Sequence, residues 1–560
     1  MLRIAPTVAV ALLTVPIAVG LLAVLLPSFG YLPVIGGTEL TFDPWRRLFA
    51  QPALAKSIVV SLTSGLFTTA VALAAVCLFI AGSSRTRIYS WFRRLISPLL
   101  SVPHAAAAFG FAFLVAPSGL LARTFSPWAT GWERPPDILI VHDPWGLTMM
   151  VGLVAKEIPF LMLMCFAALP QIEPARRVTL ARSLGYAPAA AWFKTVFPGL
   201  YPLIRLPVYA VIAYASSTVD VALILGPTNP PTVSVAVIRW LNDPDLSMRF
   251  MASAGAVLQL IITVAAIAIW WGLEVVVRIL GRRWLENGDR SSLRGISPIW
   301  GAGFMALSAA AIFLGLSGLA ISSLAGFWRF PEILPAAFTL RAWERSGPAI
   351  AETIWTSLLL GGIAAAVSLA VVTGALENEV RRHRRAGHTA MLLLYLPLIV
   401  PQTAFLLGMV FSIELAGVRP GFWPVVFSHI VFVLPYVYLS LSEPYRRLDP
   451  RWIQVALSLG TSPARAFWRV RLPLLMMPFL AAFAIGLAVS VGLYLPTLLI
   501  GAGRVATVTT EAVALSSGGD RRIIGVWALV QAFVPAFGFT IALLVPRFLW
   551  RNRRGMREIR

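Results

Sequence analysis

The chain has 560 residues, of which 58% are hydrophobic and only 12% charged, and its mean hydropathy is +0.81. Soluble domains carry about 25% charged residues, so this composition excludes a soluble globular protein and indicates an integral membrane protein. The formal net charge is +22. Such an excess suits nucleic acid, an anionic membrane surface or membrane topology, and its distribution along the chain separates these possibilities.

Apolar runs of about 20 residues recur along the whole chain, each long enough to cross a bilayer core of about 30 Å as a helix. We predict about twelve of them and therefore an all-α polytopic membrane protein. The first six cover about residues 4–26, 58–80, 96–115, 147–169, 200–225 and 251–273. The second six cover about residues 304–324, 354–376, 390–415, 422–441, 474–500 and 524–545.

The basic residues concentrate in every second connection between these runs. If the N-terminus is cytoplasmic, the inner segments hold about twice the Lys and Arg of the outer ones, which is the bias expected of cytoplasmic loops. This predicts that both termini are cytoplasmic and that the charge reflects topology rather than nucleic-acid binding. The inner basic positions are Arg3 and the segments 85–94, 176–194, 278–283, 381–385, 446–471 and 547–560.

Two stretches of the sequence are near copies of each other, SLGYAPAAAWFKTVFP at 183–198 and SLGTSPARAFWRVRLP at 458–473. They lie 275 residues apart, as do Gly226 and Gly501. Upstream the spacing is 298 residues, between Gly110 and Gly408, and 296 between Ser61 and Ser357. Each copy belongs to six predicted spans, and an even number makes the repeats parallel. We predict two halves, 1–281 and 298–560, joined by a cytoplasmic linker at 282–297.

Each near copy is predicted to form two short helices joined by a turn, within loops 174–198 and 450–473. The first short helix covers about 176–184, or 452–459 in the second copy. Gly185 and Gly460 follow it, where a helix needs a left-handed residue to end. Pro198 and Pro473 are expected to break the second short helix before the next span. Such an element at the membrane surface suits a groove on another protein.

These residues resemble the EAA motif of permease subunits of binding-protein-dependent ABC importers with the type I fold. That motif reads E-A-A-x-x-x-G, with I-x-L-P nine residues further on. Ala181 and Ala456 match its second alanine, and Leu472 its leucine. Gly185 and Pro198, like Gly460 and Pro473, have its separation of 13 residues. Its glutamate is replaced by Thr179 in the first copy and by Gln454 in the second.

The resemblance covers essentially the whole chain, which looks like two permease halves fused, as in the ferric-iron and thiamine group of that family. It implies a permease subunit in the bacterial cytoplasmic membrane that forms the path for a small solute. It implies as partners two copies of a cytosolic ABC ATPase, which grip the loops and bind ATP and Mg²⁺, and an external solute-binding protein. It also implies that this chain is not itself an enzyme.

The residues alone leave other classes of protein open. A secondary active transporter with 12 spans would also have parallel six-span halves, and a polytopic membrane enzyme is a third reading. The sequence contains no G-x-x-x-x-G-K-[ST] phosphate loop. Its two cysteines, Cys77 and Cys165, lie in different predicted spans, and its five histidines lack metal-ligand spacing. We therefore predict no catalytic residues, no metal site and no cofactor in this chain.

Ionisable residues within predicted spans are costly to bury and are candidates for the solute path. Lys156 and Glu157 fall inside the fourth predicted span, and Asp220 inside the fifth. The alternative for each is a structural charge pair between helices. Adjacent residues on a helix point about 100° apart, so Lys156 and Glu157 are not expected to line one narrow stripe.

Overall fold

The computed structural model describes residues 4–83, 86–290, 293, 298–382 and 387–549, and these ranges are predominantly helical. Within them, extended pairing is limited to two isolated β-bridges, Leu32 with Gly37 and Ala325 with Phe338. Most of the predicted linker beyond residue 290, the basic residues Arg384 and Arg385, and residues 550–560 of the tail lie outside the described ranges. The all-α prediction is confirmed.

The first half contains thirteen helices, formed where Leu, Ala, Val and Ile dominate the sequence. The 39-residue α13 is about 58 Å long at 1.5 Å per residue, so it projects beyond a bilayer core and takes up the first residues of the predicted linker. The helices are α1 (Ala5–Ser28), α2 (Asp43–Phe49), α3 (Leu54–Ser83), α4 (Arg87–Ser101), α5 (His104–Val115), α6 (Leu120–Phe125), α7 (Leu147–Ala168), α8 (Pro174–Ser183), α9 (Pro188–Thr195), α10 (Phe197–Ser217), α11 (Asp220–Leu225), α12 (Val233–Leu241) and α13 (Met248–Glu286), with 3₁₀ turns at Pro33–Ile35 and Leu169–Ile172.

The second half repeats this order, and its 42-residue α15 is the counterpart of α3. Its helices are α14 (Pro298–Ser323), α15 (Arg341–Arg382), α16 (His388–Ile399), α17 (Gln402–Leu415), α18 (Phe422–Arg447), α19 (Arg451–Ser458), α20 (Pro463–Ala466), α21 (Leu472–Leu474), α22 (Met476–Gly492), α23 (Leu495–Gly501), α24 (Val508–Ala514) and α25 (Arg521–Leu549), with a π-helical turn at Phe467–Arg471 and a 3₁₀ turn at Leu515–Ser517.

Ten helices of the described chain are long and apolar enough to cross a membrane, and two sharply bent helix pairs raise the number to as many as twelve. This agrees with the predicted number of spans. The third and fifth spans of each half are nevertheless not the continuous helices that we predicted. Proline explains the third-span breaks, because Pro103 and Pro401 force the preceding valine into an extended conformation. In the second half the two pieces are bent by 86°.

The fifth span ends earlier than predicted in both halves. Helix α10 stops at Ser217 and α11 starts at Asp220, while α22 stops at Gly492 and α23 starts at Leu495. Side chains from other helices satisfy the carbonyl groups exposed by the first break. Ser64 Oγ donates to Ala215 O at 2.6 Å, and Gln259 Nε2 donates to Ser216 O at 3.1 Å. Such pairing is what allows a broken helix inside a membrane.

The two halves are intertwined through their first helices. Helix α1 packs along α17 of the second half, and α14 packs along α5 of the first. Glycines permit both contacts, because a Cβ on Gly408 would lie 1.8 Å from Gly20 O, and one on Gly315 would lie 2.5 Å from the carbonyl carbon of Gly110. Small residues at such crossings let helix backbones approach closely. Each half therefore completes its packing with a helix of the other.

The duplication predicted from sequence spacing is visible in matching hydrogen bonds. Ser61 Oγ accepts from the backbone N–H of Val233 at 3.1 Å, and Ser357 Oγ accepts from that of Val508 at 3.1 Å. Both serines are buried, and both contacts join the second span of a half to the segment after its fifth span. The two halves thus share one internal arrangement in parallel orientation.

Candidate functional site

The first predicted loop folds as a helix–turn–helix, which we call the first coupling loop (174–198). Helix α8 ends at Ser183, and Gly185 has a φ of +89°. The backbone N–H of Gly185 donates to Arg182 O at 3.0 Å, and that of Tyr186 donates to Ala181 O at 3.2 Å. This pair of bonds is the Schellman arrangement, which needs a left-handed residue at the glycine position.

The second coupling loop (450–473) has the same turn. Gly460 has a φ of +82°, its backbone N–H donates to Leu457 O at 3.0 Å, and the N–H of Thr461 donates to Ala456 O at 3.2 Å. Equivalent residues also have equivalent exposure. Ala181 and Ala456 are buried, whereas Thr179, Gln454 and both glycines are exposed. The two turns are therefore the same structure made twice.

Apolar side chains flank each turn and point away from the protein. Leu184 is 61% exposed and its equivalent Leu459 is 78% exposed; Leu180 and Val455, one helical turn earlier, are also exposed. Apolar residues repeated at equivalent exposed positions are typical of an interaction surface. The apolar side chains beside both turns are thus exposed to a partner. The first turn also lies next to Arg290, whose Cδ is 3.5 Å from a Cβ built on Gly185.

The end of the second coupling loop differs from our prediction. Pro198 stands at the beginning of α10 and separates it from α9, as expected. Pro473, by contrast, lies inside a helical run from Pro463 to Leu474, and the chain bends by 76° only after that run. A π-helical turn ends just before Pro473, which stands in the first turn of α21, where proline is tolerated.

A buried ion pair anchors the second coupling loop to the membrane helices. Arg471 pairs with Glu377 of α15, and both side chains are less than a tenth exposed. Glu377 also accepts hydrogen bonds from Tyr445 of α18 and, at 2.7 Å, from Arg381 Nε. The sequence interpretation missed this network, although Glu377 immediately follows the predicted span 354–376. The second loop is thereby held to α15 and α18.

The first coupling loop is anchored differently, through the segment that follows α13. Lys194 Nζ donates to Asn287 Oδ1 at 3.0 Å and lies 4.8 Å from the ring centre of Trp284. The backbone N–H of Ala187 donates to Arg290 O at 3.1 Å. In place of Arg471 this loop has the fully buried Val196. The loops are thus alike at their exposed turns and unlike at their anchors.

Both ends of the described chain lie on the face that carries the coupling loops. A Cβ on Gly374 of α15 would lie 2.9 Å from the Cβ of Ala5, and Glu377, nearly one turn further along α15, holds the second loop. Helix α25 begins on the opposite face, where Arg521 contacts Ser118, and its 29 residues run back toward the loops. This is the arrangement that an even number of spans produces.

Lys156 and Glu157 bind opposite sides of the break in the third span. Lys156 Nζ donates to the carbonyl oxygen of Leu99 at 2.8 Å, near the C-terminus of α4. Glu157 Oε1 lies 3.1 Å from Nε2 of His104, the first residue of α5. A cation at a helix C-terminus and an anion at an N-terminus are both favourable. The contacts thus place these two residues at the break.

We predicted Asp220 inside a continuous fifth span. It lies instead at the start of α11, after the break. Its Oδ1 accepts from Thr218 Oγ1 at 2.8 Å. Helix α11 packs against α5 and α7 of its own half and against α24 of the other half. The partly exposed carboxylate of Asp220 therefore lies near the boundary between the halves, where a solute path would run.

Comparison with known proteins agrees with this geometry. Residues 358–549 match the family model of the binding-protein-dependent transport system inner membrane component. The chain is 30% identical to the inner membrane ABC transporter permease protein YnjC of Escherichia coli K12 over 521 residues, which is 92% of this chain and 93% of the relative. The chain belongs to the ABC transporter permeases of binding-protein-dependent systems.

Shorter similarities lie within the same family. This permease is 27% identical over 183 residues to the putative 2-aminoethylphosphonate transport system permease protein PhnV of Salmonella typhimurium, covering 32% of this chain and 68% of the relative. It is 28% identical over 98 residues to the spermidine/putrescine transport system permease protein PotC of Escherichia coli K12, covering 18% and 37%. This permease is therefore a multi-pass transport component that works with ATPase and binding-protein partners.

Proposed function

We propose that each coupling loop receives one cytosolic ATPase subunit, so that two copies act on one permease chain. The observation that supports this most directly is the pair of matching exposed turns at Gly185 and Gly460, each flanked by exposed apolar side chains. A surface made twice in one chain suits a partner present in two copies. In this proposal ATP and Mg²⁺ bind to the ATPases.

In this proposal the coupling-loop face and both termini are cytoplasmic, in line with the basic residues on that side. An external binding protein delivers a small solute to the opposite face. Closure of the ATPases draws the two loops together, and the halves move as rigid bodies between inward-facing and outward-facing states. Arg471 and Glu377 transmit the movement in the second half, and the Lys194 contacts do so in the first.

Asp220 is proposed as a residue of the solute path, because its carboxylate is partly exposed between the two halves. Lys156 and Glu157 border the same region and hold the broken third span in place. Their contribution to the path is positional, since Lys156 is directed toward backbone carbonyl groups.

The test is co-purification of the ATPase with a double variant, Gly185→Arg with Gly460→Arg. We expect loss of the ATPase, because arginine adds bulk and disfavours the left-handed turn by about 1–2 kcal/mol at each position. Gly503→Arg is the matched control. Gly503 also has a positive φ, +75°, and no atom lies within 4 Å of a Cβ added there, but it lies on the opposite face, so the ATPase is expected to co-purify normally. Normal ATPase recovery with the double variant would contradict the docking assignment.

A further inference from the structure

A basic cavity of about 240 Å³ lies on the face opposite the coupling loops. Its walls come from both halves of the permease. The first half contributes Ser118 and Arg123, next to and within α6. The second half contributes Trp328, after α14, and Arg521 and Arg522 at the start of α25. The cavity is thus formed where the two halves meet.

Arg123 is a buried guanidinium that has no ion-pair partner among the described residues. It is 7% exposed, and it stacks 4.4 Å from the ring centre of Trp328. Its hydrogen bonds go to neutral backbone oxygens of Ser118, Arg329 and Glu332, at 2.8 to 3.0 Å. A buried charge without a counterion is costly, so an anion beside Arg123 would be stabilised.

Arg521 adds a second positive charge to the same cavity. It donates to Ser118 Oγ and repels the guanidinium of Arg123, and the attraction of Arg123 to Glu332 is the smaller effect. The acidic residue of the wall, Asp520, lies 3.9 Å from Arg522. Two guanidinium groups that share a cavity, neither of them in an ion pair among the described residues, suit a carboxylate or phosphate.

The duplication creates a second, equivalent contact between the halves, and this contact shows what occupies the corresponding position there. Gln259 and Gln531, both fully buried in the last span of their half, lie 272 residues apart, and the same spacing relates Arg249 to Arg521. Arg249 Nη1 lies 3.6 Å from Oε2 of Glu414, near the end of α17. At the 298-residue spacing of the third spans, the counterpart of Glu414 is Ala116. The cavity therefore lacks the carboxylate that its counterpart carries.

We propose that the cavity between Arg123 and Arg521 receives the side-chain carboxylate of an aspartate or glutamate from the external solute-binding protein. This rests on the proposed function, in which that protein docks on this face. A carboxylate fits because Glu414 supplies one in the equivalent place, and a volume of about 240 Å³ accommodates a side chain. Since only one of the two equivalent positions is open, the contact selects one of two pseudo-symmetric orientations of the binding protein.

The test is zero-length carbodiimide coupling, which joins a carboxylate to an amine in contact with it. In Arg521→Lys the charge is kept and an amine is supplied. The variant is made in the full chain, in cells with a permeabilised outer membrane, and the linked peptides are identified by mass spectrometry. We expect an amide to an acidic residue of a second, soluble protein. Arg249→Lys is the matched control and is expected to link to Glu414 within the same chain.

Ala116→Glu combined with Arg521→Lys restores the missing carboxylate. We expect the intermolecular adduct to fall at least tenfold and an intrachain link to the introduced carboxylate to replace it. Three results would overturn the proposal, provided that the Arg249→Lys control reacts. The amine of Arg521→Lys would form no adduct, would couple only to Asp520 or Glu332, or would couple to a lipid headgroup. ATPase co-purification is measured on the same samples: its loss from the wild type contradicts the proposed function, whereas adduct formation tests the cavity alone.

Discussion

Replacing Glu377 by glutamine tests whether the buried network anchors the second coupling loop. The substitution keeps the size of the side chain and removes its charge, so Arg471, only 8% exposed, is left without a counterion. Breaking a buried ion pair from one side costs about 3–5 kcal/mol. Arg381 is 39% exposed, so water can solvate it when Glu377 is replaced, and its lost contact contributes little to the destabilisation. We therefore expect the free energy of unfolding to fall by about 3 kcal/mol or more.

Glu274→Gln is the matched control in the first half. Glu274 of α13 also accepts from two tyrosines and pairs with Arg205 at 2.9 Å, but Arg205 is 41% exposed. Solvent screens such a pair, so the expected loss of its charge–charge interaction is about 1 kcal/mol or less. Unfolding is followed by tryptophan fluorescence in mixed micelles with increasing SDS, and ATPase co-purification is measured alongside.

A second variant separates a lost ion pair from a damaged helix. Arg471→Val in the Glu377→Gln background removes the unpaired charge, and the residue introduced is the one that the first half has at this position, Val196. The main cost of Glu377→Gln is the buried unpaired charge of Arg471, so its removal is expected to restore most of the lost stability. Equal effects of Glu377→Gln and Glu274→Gln, or no recovery in the double variant, would refute the reasoning.

Two further predictions follow from buried hydrogen bonds. Lys156→Met leaves the carbonyl oxygen of Leu99 without its 2.8 Å donor. The free energy of unfolding in the same SDS titration is therefore expected to fall by about 1–3 kcal/mol. Unchanged stability together with impaired ATPase stimulation by solute would instead favour a direct role of Lys156 in the solute path. Ser61→Ala and Ser357→Ala each remove an acceptor at 3.1 Å, and losses of about 1 kcal/mol that agree within error are expected. A clearly unequal pair would contradict the equivalence of the two halves.

Much of the architecture could be predicted from the sequence because it depends on local patterns. Apolar runs indicate spans wherever they fold, and a glycine followed by prolines indicates a turn such as that at Gly185. Breaks within spans were harder to predict. Pro103 and Pro401 were visible, but proline is tolerated in many membrane helices, so the pattern did not separate a kink from an 86° bend. The break before Asp220 has no proline signal at all.

The sequence by itself determined the membrane class, the duplication and the position of two matching helix–turn–helix loops, since these follow from hydropathy and from spacing along the chain. Only the tertiary structure decided which distant residues meet. It paired Arg471 with Glu377, set Lys156 against the end of α4, and exchanged α1 and α14 between the halves. The physical reason is that charge pairs and helix crossings depend on three-dimensional proximity, and the spacing between equivalent residues changes from 298 to 272 along the chain. The missing carboxylate opposite Arg521 therefore became visible only when both halves were folded.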